Sequence, residues 1–72
     1  MIKLGIYRHF KGNLYKVLDT ATHSETMETV VIYQPQYGDK ALWVRPLEMF
    51  LETVEHNGKV QARFEWQGPA EE

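Results

Sequence analysis

Not one cysteine occurs in the chain. That excludes a disulfide framework and a thiolate zinc site, the two devices that most often complete small cores. At 72 residues, a single hydrophobic core is only marginally sufficient. Stability must come from dense packing, or from a second copy of the chain. The lack of thiols also suits a reducing cytosol. Long apolar runs are missing too. The opening MIKLGIYRHF is broken by Lys3, Gly5 and Arg8, which is not a signal-peptide pattern. Nothing approaches the roughly 18 apolar residues of a membrane span. The expectation is a cytoplasmic protein with no membrane contact.

Several chemical signatures are absent as well. There is no GxGxxG or GxxxxGK loop to cradle phosphates. His9, His23 and His56 lack metal-ligand spacing, so no metal and no cofactor is expected. His23-Ser24-Glu25 offers a base, a nucleophile and an acid in succession. Loop neighbours rarely make a triad, because its members must converge in space and be buried together. No catalytic residue is assigned. An enzyme using His9 or His23 with Glu25 stays as an alternative, and it requires those residues to meet in one pocket.

Net charge is −2, which argues against strong non-specific attraction to nucleic acid. The distribution is uneven. Lys3, Arg8, Lys11 and Lys16 precede the first acid, Asp19, whereas acids dominate from Glu48 onward.

What is present reads as strands. Gly5 to His9 forms a short first strand, followed by the turn Lys11-Gly12-Asn13. Leu14 to Thr22 alternates as a second strand, with Tyr15 and Val17 on one face. After the polar loop HSETME, the run Val30 to Tyr33 suits a buried strand. Pro35 ends that ladder and Gly38-Asp39 supplies another turn. In Leu42 to Arg45, Leu42 and Val44 are expected to face inward, and Trp43 and Arg45 outward. Pro46 suits the start of a helix, and Leu47, Phe50, Leu51 and Val54 follow a helical stripe. Asn57-Gly58 is a hairpin signal leading to a last strand, Lys59 to Trp66. There Val60, Ala62, Phe64 and Trp66 would share a buried face. The fold class is mainly β: a small SH3-like barrel of five or six short antiparallel strands, with one short helix before the last strand. Residues 1–66 form a single domain, and 67–72 a frayed acidic tail.

Two clusters suggest ligand binding. Trp43 and Arg45, side by side, suit a planar or anionic ligand through stacking and a guanidinium fork. Such a pair also serves often as a core lid. Tyr7, Arg8, His9 and Lys11 interleave rings with cations, the combination that nucleic-acid grooves need. Tyr37, beside Gly38, belongs to a third candidate loop.

The blocks YRHFKGNLYKVL, HSET, VVIYQPQYG, WVRPLEMF and NGKVQARF resemble, in order, the small bacterial family called domain of unknown function 1653. The resemblance covers Gly5 to about Phe64. Ala62 stands where the family pattern usually carries a proline before Arg-Phe. The resemblance implies a compact, mostly β, stand-alone cytoplasmic protein, and it implies no activity. Its motifs include Tyr7, Arg8, His9, Tyr37, Trp43 and Arg45. From these residues the expected function is a non-enzymatic binding module with an aromatic and basic groove. Its partner would be a small ligand such as a nucleotide, a peptide or single-stranded RNA. The alternative from another class is a structural or adaptor homodimer.

Overall fold

The computed structural model describes residues 2–70. Seven strands and one helical turn follow in the order β1 (Gly5–His9), β2 (Leu14–Thr22), β3 (Thr29–Pro35), β4 (Trp43–Pro46), α1 (Leu47–Phe50), β5 (Thr53–His56), β6 (Lys59–Ala62) and β7 (Phe64–Gly68). The first four strands form an antiparallel meander. The last returns to the start, giving a five-stranded sheet of order β4-β3-β2-β1-β7. β5 and β6 form a separate hairpin.

The turns obey local chemistry. Between β1 and β2, the Gly12 amide donates to the His9 carbonyl at 2.7 Å, with Gly12 at φ +110. The β5–β6 turn has Asn57 and Gly58 both at positive φ, 55 and 74. That is the arrangement whose twist matches a two-residue hairpin.

Register decides which residues share a face. Tyr7 opposes Tyr15, Val17 opposes Tyr33, and Tyr33 opposes Trp43. These side chains therefore lie on one side of the sheet, joined by Val31 and Phe64. Phe50 is delivered to this face by α1 and is 1% exposed. Its ring stacks on Phe64 and meets Tyr7 and Tyr33 edge-on at 5.3 and 5.5 Å. The core is thus built mostly from rings. Burying so many of them offsets the small size, since each removes about 150–250 Å² from water.

Several expectations are corrected. The sheet is open rather than a closed barrel: β4 and β7 are its edges and do not pair. Among the described residues strands number seven rather than five or six, and a hairpin intervenes between the helix and the last strand. The helix is a single turn. Val54, expected on its stripe, lies in β5, and Leu51 is exposed. Pro46 does precede α1, with φ −54 and ψ 139. The expected last strand is split at Arg63, whose amide donates to the Glu52 carbonyl while its own carbonyl accepts from Phe10. Val60, Ala62 and Trp66 are exposed, so Phe64 alone of that expected row is buried. β7 runs on through Gln67 to Gly68, beyond the expected domain boundary at 66. Glu71 and Glu72 of the expected tail lie outside the described residues.

Candidate ligand-binding face

At the β4 edge the core face continues outward as a surface. Trp43 opposes Tyr33 in the register, so its indole lies over the sheet. The ring centroid is 5.9 Å from Tyr33 and 6.1 Å from Tyr15, yet 42% of the residue remains exposed. Tyr37, just past β3, folds back so that its hydroxyl and that of Tyr15 lie 2.8 Å apart. Burial pushes the Tyr15 phenol up to about 12, and the bond to Tyr37 adds to the effect.

Two residues along β4, Arg45 shares the face of Trp43. Its Nε donates to the Tyr33 hydroxyl at 3.2 Å, and the guanidinium lies over Phe64 at 5.7 Å. Facing it across the sheet, His9 packs edge-on against Phe64 at 5.0 Å and Tyr15 at 6.2 Å. Its Nδ1 accepts the Lys11 amide at 3.2 Å. In the neutral ring the proton then sits on Nε2, which leaves a donor. Burial lowers the His9 pKa, and the cations Arg63, Lys11 and Arg45 lower it further. This is a positively biased pocket edge walled by rings.

The orientation expected for β4 is reversed. Alternation holds, but Trp43 and Arg45 take the core side, while Leu42 and Val44 are 62% and 65% exposed. The physical reason is the register. Once Tyr15, Val31 and Tyr33 define the core face, pairing of Tyr33 with Trp43 and Val31 with Arg45 settles the matter.

Of the residues expected to form a site, the structure brings His9, Tyr37, Trp43 and Arg45 together around Tyr15, Tyr33 and Phe64. Tyr7 is not among them. It is buried, 6% exposed, with its hydroxyl donating to the Lys3 carbonyl at 2.7 Å. Burial also raises its pKa, against the lowering effect of that bond. Arg8 alternates with Tyr7 and His9 along β1 and is exposed. It lines a different feature, a cleft of about 430 Å³ shared with His9, Phe10, Lys59, Gln61 and Glu65. This cleft lies between the β1–β7 pair and the β5–β6 hairpin. Sequence reasoning missed Tyr15 and Phe64 as walls and Arg63 as a neighbouring cation. The signal for Tyr15 was its alternation with Val17, read only as a core pattern.

His23, Ser24 and Glu25 lie in the β2–β3 turn. The His23 Nδ1 accepts the amides of Glu25 and Thr26 at 3.2 and 3.3 Å. His23 lies eight residues beyond Tyr15, on the order of 25 Å at the usual strand rise. The enzymatic alternative required His9 and His23 to meet, and the structure separates them. Among the described residues no three of His, Asp or Glu converge as metal ligands, and no helix is long and apolar enough to cross a membrane.

Residues 5–66 match the family model described as Protein of unknown function (DUF1653). The chain belongs to the DUF1653 family. The crystal structure of a DUF1653 protein from Bordetella bronchiseptica is similar to it, with a TM-score of 0.88 and 34% identity. The match covers 99% of this chain and 94% of that one. The backbone of the open sheet is thus shared with that protein along nearly its whole length. No curated protein matches the chain.

Proposed function

We propose that this DUF1653 protein is a binding module, with no chemistry of its own, for planar anionic ligands of the nucleotide class. Trp43 carries this reading: a large ring, 42% exposed, is held against Tyr15 and Tyr33. Immobilised rings stack a ligand at little cost in side-chain entropy. Arg45 stands beside it with Nε engaged by Tyr33 and its terminal nitrogens facing no carboxylate among the described ion pairs. Such a fork suits a phosphate.

An NMR titration of the labelled domain with nucleotides, short RNA and peptides tests the proposal. Shifts should cluster on Trp43, Tyr37, Arg45 and His9, and Trp43→Ala should weaken binding by about 1–3 kcal/mol per stacked base. Shifts elsewhere, a preference for peptides, or a spectrum unmoved by nucleotides would overturn it.

A second reading is a homodimer through the open edge of β4, where Leu42 and Val44 are exposed. Bare edges of this kind template pairing with another chain. Sedimentation at micromolar concentration decides it: a species of 8.5 kDa removes the dimer.

A further inference from the structure

The platform at Trp43 and the cleft at Arg8 share His9 at their border. Rings connect them. From Trp43 the next centroid, Tyr15, is 6.1 Å away, His9 is a further 6.2 Å, Phe10 another 4.5 Å and His56 another 5.2 Å. The row starts on the β4 edge, passes over β3 to the buried Tyr15 of β2, continues to the end of β1, and finishes on the β5–β6 hairpin. Tyr37 and Phe64 flank it at Tyr15, 5.8 and 5.6 Å away.

Cations follow the same route. Of the eight Lys and Arg in the chain, Arg45, Arg63 and Lys11 surround His9, and Arg8 and Lys59 line the cleft. The Lys11 ammonium lies 5.8 Å from the centre of the Phe10 ring. Acids are sparse here. Glu52 pairs with Arg63 at 3.2 Å, and Glu65 stands opposite Arg8 in the β1–β7 register. The Arg63 Nε is buried with no acceptor. In an acidic chain, this strip is rich in donors and poor in acceptors, so its occupant must supply acceptors repeatedly along its length.

We infer that the row of rings and the basic cleft form one track for a single-stranded polynucleotide, with bases meeting the exposed rings of Trp43 and His56 and the half-buried His9 and Phe10 between them, and phosphates meeting the cations. The inference rests on the nucleotide reading of Trp43 and extends it from one residue of ligand to several. Alternation of stacking surfaces with backbone-tracking charge is how sequence-tolerant single-strand binders work. A proline-rich peptide would also meet rings, but its uncharged backbone would leave the cations along the row without partners.

The test compares uridine monophosphate with hexauridylate on the wild-type domain and on the Arg8→Gln, Lys59→Gln double variant. Both positions are exposed, so the variant retains the fold, which circular dichroism verifies. Hexauridylate should bind the wild type at least roughly tenfold more tightly than the mononucleotide, because linked contacts raise effective concentration. The double variant should lose most of that gain and flatten the salt dependence by about 1.4 log units per log salt, the value for two phosphates on a single strand. Mononucleotide shifts at Trp43 should persist. Equal affinity for the two ligands, or an unaffected double variant, overturns the track and leaves the platform standing. If neither ligand moves Trp43, the platform itself fails and the track with it.

Discussion

Phe50 and Phe64 lie face to face, their centroids 4.1 Å apart and their planes 1° from parallel. The stack fastens the turn α1 to the last strand of the sheet, with Tyr7 and Tyr33 closing on it edge-on. Ring edges carry partial positive charge and ring faces partial negative charge, so these perpendicular neighbours favour the arrangement.

Phe50→Ala should therefore cost about 3–5 kcal/mol, the range for removing a buried ring. A domain this small holds a margin of about 5 kcal/mol, so the variant should be largely unfolded at 25 °C. Phe50→Leu, which keeps most of the volume, should lose less. Urea denaturation followed by circular dichroism separates the two. A native-like Phe50→Ala midpoint would show that the stack is dispensable.

Tyr15 gives an alkaline signature. Burial, aided by the Tyr37 hydroxyl, raises its pKa to about 12, against about 10 in an unfolded chain. Between those values the unfolded state loses a proton that the folded state keeps, so stability falls as pH rises. The contribution is complete below about pH 10 and gone above about 12. Urea midpoints should drop through that window. Tyr15→Phe should flatten this part of the profile, and Tyr37→Phe should lower stability by about 1 kcal/mol at neutral pH.

His9 acts at the opposite end. Its pKa is lowered by burial first, then by Arg63, Lys11 and Arg45. On acidification the unfolded chain takes up a proton near pH 6.5, the ordinary imidazole value of roughly that size, before the folded protein does. Stability from His9 is therefore present above that value and lost as pH falls through the depressed pKa. NMR of the His9 ring should place its midpoint below the ordinary value. Added phosphate, by neutralising the surrounding cations, should move it upward. A midpoint insensitive to phosphate would argue that no anion enters this corner.

Gly5 tests the junction of β1 and β7. It sits at φ +130, and a Cβ there would run into the Gly68 carbonyl and crowd Pro69 at 3.0 Å. Gly38 also has positive φ, +66, but open space around it. Gly5→Ala should cost clearly more than the roughly 1 kcal/mol expected for left-handed backbone strain alone at Gly38→Ala. Thermal melts of the two variants give the comparison, and equal costs would mean that the junction yields.

How much of this was legible beforehand depended on how many neighbours a decision needed. The bounds of β1 and β2, Gly5–His9 and Leu14–Thr22, follow from alternation and from the glycine turn between them. The Asn57-Gly58 hairpin was equally local. The family was legible because its blocks run in order along most of the chain. The facing of Trp43 was not, because a four-residue strand alternates equally well either way. Only pairing with Tyr33 breaks the tie. The split at Arg63 was hidden for the same reason, since it comes from Phe10 and Glu52 claiming the backbone groups of Arg63. Of the proposed face, Trp43, Arg45, Tyr37 and His9 could be named from sequence. Tyr7 lies in the core, because its hydroxyl finds a partner beneath the surface, and Arg8 lines the neighbouring cleft, because it follows the other side of the strand.

The seating of β7 beside β1 carries a consequence for synthesis. A ribosome delivers this chain from its amino end, so β1 to β4 emerge as a meander with one flank bare and the ring core short of Phe50 and Phe64. Until Phe64–Gly68 clears the exit tunnel, the nascent meander presents tyrosines and an unzipped strand to its surroundings. Completion of the sheet is thus a late, long-range event, and truncation within those five residues should send translation products to chaperones or proteases rather than to a shortened native state.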